Sequence, residues 1–219
     1  MTGMTMSWIF KSFLVAGIAC AGAAAHADTI VETPSTAAAG SFIKEYDNAL
    51  APLQFVKFCM NYGAECEPDA VADQQNLPSG ERARDMLREV NRSVNNAITP
   101  MKKPRSPLLA HWAVSPDAGD CNDYAVTKRH RLIEMGWPKS ALRLAVVLTG
   151  GQGHLVLVVR LSDGDVVLDN LSSSVRSWDT AGYQWISMQS GNNPRFWVAV
   201  GEHGEHLRAS RQASVRTPS

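Results

Sequence analysis

The sequence lacks an excess of either charge. Lysine and arginine together number 21, and aspartate and glutamate together also number 21, so the formal net charge is zero. A neutral chain creates no overall field that would attract nucleic acid or an anionic membrane, and we expect no nucleic-acid partner. The chain also lacks internal repeats, and its 219 residues with 45% hydrophobic content predict one globular domain with a buried core.

The chain has no apolar run near its start that is long enough to span a bilayer. Residues 12–25 form a small and apolar stretch of roughly 14 residues, short of the ~20 that a membrane-spanning helix needs. Lys11 is the only charged residue before Asp28, and Ala25-His26-Ala27 resembles a signal-peptidase site. Residues 1–27 are therefore predicted to be a cleaved signal peptide, which would place the mature chain in the periplasm.

Cysteine is scarce. The chain has four cysteines, and Cys20 would leave with the signal peptide, so three would remain in an oxidising compartment. Cys59 and Cys66 are close in sequence, and a disulfide between them is predicted. Cys121 would then be a free thiol. Catalysis would justify a free thiol in such a compartment, whereas the alternative is a buried and inert cysteine.

The apolar pattern predicts an α+β fold, with helices first and an antiparallel sheet after them. Helical spacing predicts one helix between Ser79 and Pro100, and a second from Asp120 or Cys121 through Met135. Beyond the second helix the apolar period changes to that of strands. Three strands rich in valine and leucine are predicted at 143–148, 154–161 and 165–171. Two further strands are candidates at 185–188 and 196–200.

Both ends of the chain are predicted to lie outside the packed domain. Residues 28–41 contain TPSTAAAGS and indicate a flexible lead-in. Residues 201–219 are polar with almost no apolar anchor, and they predict a disordered tail. The folded domain would therefore cover residues 42–200.

The second predicted helix places Cys121 where a thiolate is favoured. Asp120 is suited to the N-cap, which puts Cys121 in the first turn, beside unpaired backbone N–H groups and the positive end of the helix dipole. The carboxylates of Asp120 and Asp123 oppose the thiolate, and a histidinium partner would offset them.

Two of the six histidines are candidates for that partner. His111 lies in a proline-rich connection, whereas His154 opens an apolar strand directly after GGQG, whose glycines would let a substrate backbone approach closely. A single histidine on a strand is often structural, but its position predicts His154 as the catalytic base.

The residue that orients His154 is expected on the following strand. Asp169 and Asn170 lie in the apolar string VVLDNL, whereas Asp163 and Asp165 are assigned to the preceding turn. A tight turn centred on Asp163-Gly164 would place Asp169 four residues along the sheet from His154, or ~13 Å away. A bulge, a longer loop or a shifted register must close this gap.

Three strings in this order resemble the bacterial transglutaminase-like cysteine peptidases: GDCNDYAVTKRHRL, GHLVLVVR and GDVVLDNL, followed by a tryptophan-rich end. The likeness covers roughly residues 45–200 and includes the cysteine pair and the segment VNNAITP. It implies a papain-like fold and a Cys-His-Asp triad, carried here by Cys121 from GDC, His154 from GH and Asp169 from LDN. The family includes a periplasmic protease that releases biofilm adhesins. The resemblance therefore also implies a protein substrate such as a surface adhesin, and control by an inner-membrane receptor.

The resemblance also implies a calcium site. In the adhesin-releasing branch, acidic residues beside the nucleophile bind calcium, and these positions match Asp120 and Asn122. Asn122 stands where a glutamate is expected, and the loss of one charge should weaken calcium binding. Asp120 would otherwise serve only as a helix cap.

Together these residues predict an exported cysteine peptidase that cleaves a protein amide bond through an acyl-enzyme. A peptidoglycan amidase or a protein-crosslinking transglutaminase would use the same chemistry, and an inactive peptide-binding module would keep the same fold. A zinc site formed by Cys59, Cys66, Cys121 and His154 is disfavoured, because no two of these residues have the close spacing typical of zinc ligands.

Overall fold

The computed structural model describes residues 41–69, 77–102 and 110–216, and side chains as far as residue 210. The predicted signal peptide and almost all of the predicted lead-in lie outside these residues. The helices are α1 (Leu53–Asn61), α2 (Gly80–Ala97), α3 (Cys121–Glu134) and α4 (Gly201–Arg216). The strands are β1 (Glu45–Ala49), β2 (Thr99–Pro100), β3 (Ala118–Gly119), β4 (Leu142–Thr149), β5 (Gln152–Leu161), β6 (Gly164–Asp169), β7 (Ser172–Ser177), β8 (Gln184–Gln189) and β9 (Trp197–Val200).

Seven of the strands form one antiparallel sheet in the order β1-β9-β8-β4-β5-β6-β7. The predicted α+β class is therefore confirmed, and both predicted helices are present as α2 and α3. The sequence did not predict β1, which pairs with β9 and forms one edge of the sheet. Among the described residues, no helix combines the length and apolar character that crossing a membrane requires.

The central strands are buried on both faces. Leu155, Leu157 and Val159 of β5 contribute to the larger core cluster, which also includes residues of α1, α2 and α3. The alternate residues Val156 and Val158 contribute to a second cluster together with residues of β4, β8 and β9. Burial on both faces explains why these strands appear in the sequence as nearly continuous apolar runs.

The C-terminal segment differs from the prediction, because the structure places the helix α4 where a disordered tail was expected. This helix packs against β8, β1 and β9. The approach is close: a Cβ at Gly204 would lie 2.5 Å from the ring of Tyr46. Part of the contact surface of α4 is therefore glycine backbone, which leaves little apolar pattern for a sequence analysis to detect.

The predicted disulfide is present. Cys59 and Cys66 are bonded, with their Cα atoms 5.6 Å apart. The bond ties the last turn of α1 to the short 3-10 helix Gly63–Cys66. It thereby anchors α1, whose Phe55 and Phe58 are buried in the larger core cluster.

Candidate active site

Cys121 is the first residue of α3 and the free cysteine among the residues that the structure describes. Asp120 precedes it as the N-cap. The Asp120 carboxylate accepts a hydrogen bond from the Asn122 backbone N–H at 3.1 Å, and Asp123 Oδ2 accepts one from the Asp120 backbone N–H at 2.9 Å. This reciprocal cap fixes the start of the helix. The half-buried thiol therefore lies where the first backbone N–H groups have no partner within the helix.

The glycine of the GDC string is required by close packing. A Cβ at Gly119 would lie 2.4 Å from Asp123 Oδ2. Asp123 is fully buried, and its other carboxylate oxygen accepts a hydrogen bond from the Ala113 backbone N–H at 2.8 Å. Because the carboxylate is held on both sides, a larger residue at position 119 would displace the cap and Cys121 with it.

The register of β5 and β6 brings His154 and Asp169 together. The turn between these strands is Ser162-Asp163, one residue earlier than predicted, and Leu157 pairs with Leu168. The earlier turn moves Asp169 two residues along β5, toward His154. His154 Nε2 and Asp169 Oδ1 are 2.8 Å apart. A shifted register is thus the alternative that closes the gap left open by the sequence.

The Asp169 carboxylate is buried and saturated with donors. It is 2% exposed, and Oδ1 also accepts a hydrogen bond from the Leu171 backbone N–H at 3.1 Å. Oδ2 accepts a hydrogen bond from the Tyr183 hydroxyl. The Tyr183 ring also packs beside the imidazole of His154, with the ring centroids 6.0 Å apart. These contacts hold the carboxylate in one orientation against the imidazole.

The electrostatics of the site favour a protonated imidazole. Burial lowers the pKa of His154, but hydrogen bonds with Asp169 and with the Cys121 thiol, and the charges of both groups, raise it to about 9. Burial raises the pKa of Asp169, but hydrogen bonds from His154, Tyr183 and the Leu171 N–H outweigh it and hold this pKa below its ordinary value. Since Asp169 occupies Nε2, the other ring nitrogen, Nδ1, is the one available to the thiol.

Cys121 and His154 line a cavity of about 180 Å³. Gln54 and Asn122 are further residues with polar side chains that line it, and Trp112 forms part of its wall. The remaining lining residues are Pro52, Ala110, Val146, Gly153 and Leu155. The cavity thus gives an amide group access to the thiol and places several hydrogen-bonding groups around it.

The alternative histidine is not part of this arrangement. His111 is exposed and is absent from the residues that line the cavity. His130, farther along α3, is hydrogen-bonded to Glu65, with His130 Nδ1 and Glu65 Oε1 2.6 Å apart. The three side chains predicted from sequence, Cys121, His154 and Asp169, are therefore the ones that the structure brings together.

Several neighbours of the site were not predicted. Tyr183 lies just before β8, and neither its spacing nor its neighbours in sequence indicate a contact with Asp169. Gln54 is a polar residue in the otherwise apolar start of α1, a signal that becomes useful only when α1 is known to border the cavity. Asn91 and Asn95 of α2 contact the main chain at Asp169, and both lie on a helix whose pattern indicates only core packing.

The two predicted calcium ligands, Asp120 and Asn122, are hydrogen-bonded to each other. Asp120 Oδ1 accepts hydrogen bonds from both the backbone N–H and the side-chain Nδ2 of Asn122, at 3.1 and 3.0 Å. Asn122 therefore presents its NH₂ group to Asp120, whereas calcium is bound by six to eight oxygens. No group of three or more His, Cys, Asp or Glu residues within the described ranges converges on a metal-sized site. The chemistry of the site is accordingly derived without the ion.

This chain is similar to one protein family and to solved structures of one bacterial protein. A family model described as bacterial transglutaminase-like cysteine proteinase matches residues 45–205. The calcium-bound structure of LapG from Legionella pneumophila is 21% identical over 59% of this chain and 80% of that chain, with a TM-score of 0.46. The EGTA-treated structure of LapG is 20% identical over 58% of this chain and 78% of that chain, with a TM-score of 0.42. No curated protein sequence matches significantly.

The assignment rests on the family model, which spans the elements from β1 through the first residues of α4. It includes the helix start with Cys121 and the strands with His154 and Asp169. Because the matched region makes up most of the chain, this protein belongs to the bacterial transglutaminase-like cysteine proteinases and is a cysteine peptidase of that family.

Proposed function

We propose that the chain cleaves a protein amide bond through an acyl-enzyme, with Cys121 as nucleophile, His154 as base and acid, and Asp169 as the residue that orients His154. The observation that carries the proposal is the 2.8 Å hydrogen bond between His154 Nε2 and the buried Asp169 carboxylate, at the wall of a cavity that the Cys121 thiol also lines. A buried carboxylate that fixes an imidazole beside a thiol is the arrangement that nucleophilic acyl transfer requires.

Acylation begins when the Cys121 sulfur attacks the carbonyl carbon of the substrate amide. A carbon–sulfur bond forms, and the carbonyl electron pair moves to the oxygen. When the tetrahedral intermediate collapses, the carbon–nitrogen bond breaks and His154 donates its proton to the leaving amine. Asp169 stabilises the charged imidazolium before this step and holds the ring in place during it.

Deacylation reverses the roles. The neutral imidazole of His154 removes a proton from water, and the resulting hydroxide attacks the thioester carbon. The carbon–sulfur bond breaks, a carboxylic acid leaves, and the thiolate–imidazolium pair is restored.

Two groups are placed to stabilise the oxyanion. The backbone N–H of Cys121 lies at the start of α3, where helical N–H groups have no partner and the helix dipole favours negative charge. The side-chain amide of Gln54 lines the same cavity and can donate a second hydrogen bond. A Gln54→Ala variant should therefore lower the acylation rate more than it weakens substrate binding.

We further propose that this chemistry takes place in the periplasm on a large cell-surface protein, with an inner-membrane receptor as regulator. The Cys59–Cys66 disulfide supports an oxidising compartment. The apolar stretch at residues 12–25, followed by Ala25-His26-Ala27, supports export. The substrate and the receptor follow from the family resemblance.

Calcium binding by Asp120 and Asn122 stays a prediction. A shared calcium ion would require the Asn122 amide to turn its oxygen outward, away from its present hydrogen bond to Asp120. The measurement is the unfolding temperature with millimolar calcium or with EGTA, for the wild type and for Asn122→Glu. If calcium binds here, it should stabilise Asn122→Glu more than the wild type, because the added carboxylate restores a charged ligand.

The proposed mechanism can be tested without knowledge of the natural substrate. Iodoacetamide labelling followed by mass spectrometry measures the reactivity of the thiol, and p-nitrophenyl acetate serves as a test ester for acyl transfer. We expect Cys121 to be labelled selectively at neutral pH, and labelling to slow markedly in His154→Ala. Cys121→Ser should lose nearly all ester hydrolysis, and the exposed control His206→Ala should match the wild type.

An unreactive Cys121, or equal labelling in the wild type and in His154→Ala, would contradict the proposed mechanism. A product analysis with an added primary amine separates hydrolysis from transamidation. Release of the free acid alone would support the peptidase, whereas an amide product would identify a crosslinking enzyme.

A further inference from the structure

The main chain at Asp169 is weakly fixed by its own sheet. Asp169 is the last residue of β6, and Asp169 pairs with Ser172 across the turn to β7. The ladder between β6 and β7 is irregular between Val167 and Asp169. Regular strand pairing therefore breaks just before the residue whose carboxylate must face His154, and another element has to hold this turn.

Two asparagines of α2 hold both sides of that turn. Asn91 Oδ1 accepts a hydrogen bond from the Asp169 backbone N–H at 3.1 Å, and Asn91 Nδ2 donates one to the Ser172 carbonyl at 2.9 Å. Asn95 Nδ2 donates to the Asp169 carbonyl at 3.0 Å and to the Ser172 carbonyl at 3.3 Å. A main-chain N–H can only donate and a main-chain carbonyl can only accept, so these partners determine the positions of Oδ1 and Nδ2 in each side-chain amide. The two side chains are four residues apart, so they project from the same face of the helix.

Core packing alone does not explain why an asparagine is found at position 91. Its side chain is fully buried, although asparagine is a weak helix former and a buried amide is unfavourable unless it is hydrogen-bonded. An apolar residue would suit both the helix and the core better. Asn96, the next residue after Asn95 in the VNNAITP segment, is exposed. The two asparagines that reach Asp169 are thus the buried Asn91 and the half-buried Asn95.

We propose that Asn91 and Asn95 are positioning residues that orient Asp169, and through it His154, by holding the β6–β7 turn against α2. The inference rests on the proposed function, because it assigns the two amides to the same catalytic line. The carboxylate of Asp169 serves His154 on one side and Tyr183 on the other. A small rotation of the turn would therefore misalign both contacts, and misplacement of about 1 Å is enough to slow catalysis by about 10²-fold.

The test is a double-mutant cycle on hydrolysis of p-nitrophenyl acetate. Asn91→Ala should lower kcat/KM about 10–100-fold and Asn95→Ala by less, mainly through kcat, while Asn96→Ala on the same helix should match the wild type. In an Asp169→Asn background, adding Asn91→Ala should cost less than about twofold, because the residue it positions is already disabled. With an acyl anilide as test substrate, whose leaving amine has to be protonated, Asn91→Ala should also move the alkaline limit of activity to lower pH, as a loosened Asp169 no longer holds the high pKa of His154.

Additive losses in the cycle, an unchanged alkaline limit, or activities of Asn91→Ala and Asn95→Ala equal to that of Asn96→Ala would overturn the inference. Should Asn91→Ala fail to fold, Asn95→Ala carries the test, since it leaves both hydrogen bonds of Asn91 in place. The proposed function is checked separately by Cys121→Ser. If Cys121→Ser is inactive while Asn91→Ala and Asn95→Ala are both fully active, the positioning role is refuted and the proposed function is not.

Discussion

Two buried carboxylates on β6, Asp165 and Asp169, have opposite surroundings. Asp165 is 1% exposed, and Arg160 binds both of its oxygens at 3.0 Å. The buried Arg143 lies 3.6 Å away, and the Ile43 backbone N–H donates a further hydrogen bond at 2.8 Å. Asp169, four residues later, is instead bound by an imidazole, a phenol and a backbone N–H.

The difference lies in whether the partner can change its charge. Arginine stays protonated at every accessible pH, so the cluster around Asp165 is a fixed structural ion pair. The imidazole beside Asp169 can gain and lose a proton, and its second nitrogen faces a thiol. A buried carboxylate is therefore a functional candidate when its partner titrates and has access to a cavity, and a structural one when its partners are permanent cations.

The largest effects are expected when each of the two carboxylates is replaced by an amide, in Asp169→Asn and in Asp165→Asn. Asp169→Asn should reduce kcat/KM for the test ester about 10²–10³-fold and should lower stability by less than Asp165→Asn does, because the amide preserves the shape of the side chain but not its charge. Asp165→Asn removes the buried counter-ion that Arg143 and Arg160 share, leaves them only the more exposed Glu45, and should cost about 3 kcal/mol of stability. Its folded fraction should retain nearly normal activity. Ester kinetics and urea unfolding measure the two outcomes.

The contrast between Asp165 and Asp169 would be contradicted if the two variants showed the opposite effects on stability and activity. A stable but inactive Asp165→Asn, or an active but unfolded Asp169→Asn, would show that the chemical nature of the partner does not distinguish the two sites.

Lys128 offers a third environment, a buried cation without a hydrogen-bonded carboxylate. It is fully buried on α3, and its Nζ has no hydrogen-bond partner among the described residues, although it lies 5.9 Å from the centroid of the Tyr124 ring. Burial lowers the pKa of Lys128 to about 7, against the opposing charge of Asp169. Lys128→Met should therefore stabilise the fold at pH 6 by a few kcal/mol, on the order of the desolvation cost of one buried charge.

The pH dependence gives the sign of this effect. The unfolded chain keeps the Lys128 proton up to about its model value of 10.5, whereas the folded chain releases it near 7. Between these values the unfolded state binds more protons, so the stability of the wild type rises with pH. The advantage of Lys128→Met should shrink between pH 7 and 10 in urea unfolding, and a constant difference would contradict the assignment.

The local signals of the site could be predicted from the sequence. Cys121 follows a helix-capping aspartate, His154 follows a glycine run, and Asp169 interrupts an apolar strand. The pairing of the last two could not be predicted, because the string SDGD allows a two-residue turn at either of two positions. A turn one residue earlier changes which residues of β5 face Asp169.

The rest of the structure depends on contacts between distant segments. Asp165 was assigned to a turn because it follows an aspartate and a glycine, and this assignment was wrong. Its burial depends on Arg143 and Arg160, which lie on neighbouring strands. In the same way, β1 and α4 are stabilised by packing against each other and against the edge of the sheet. Neither segment has an apolar period from which its secondary structure could be predicted.

Activity should also depend on pH differently in the two carboxylate variants. The pKa of His154 is raised to about 9, so the imidazolium needed to protonate the leaving group is lost above that pH. For an amide substrate such as an acyl anilide, whose leaving amine has to be protonated, the kcat/KM of the wild type should fall above about pH 9. Asp169→Asn should move this limit to lower pH by removing the hydrogen bond and the charge that raise the pKa, whereas Asp165→Asn should leave it in place.

Stability follows the same titration. Since the pKa of folded His154 lies above its ordinary value of 6.5, the pairing with Asp169 and Cys121 stabilises the fold fully below 6.5. The contribution is lost as the pH rises through about 9. Urea unfolding between pH 6 and 10 should show that the stability of the wild type relative to His154→Ala declines by on the order of 2 kcal/mol, since the titration of Lys128 is common to both proteins.

The smallest expected effect concerns the neutral donor that distinguishes Asp169 from Asp165. Tyr183→Phe removes the hydroxyl that binds Asp169 Oδ2 but leaves the contacts of Oδ1 with His154 and the Leu171 N–H. One hydrogen bond to a carboxylate is worth about 1.5–3 kcal/mol, and part of this loss should appear as a decrease of about 3–10-fold in kcat/KM. The matched control is Tyr124→Phe, which removes a buried hydroxyl bound to the Ile98 carbonyl far from Asp169 in the chain. It should lower the unfolding temperature without changing the pH profile, and equal kinetic effects of the two variants would show that Tyr183 supports the fold rather than the carboxylate.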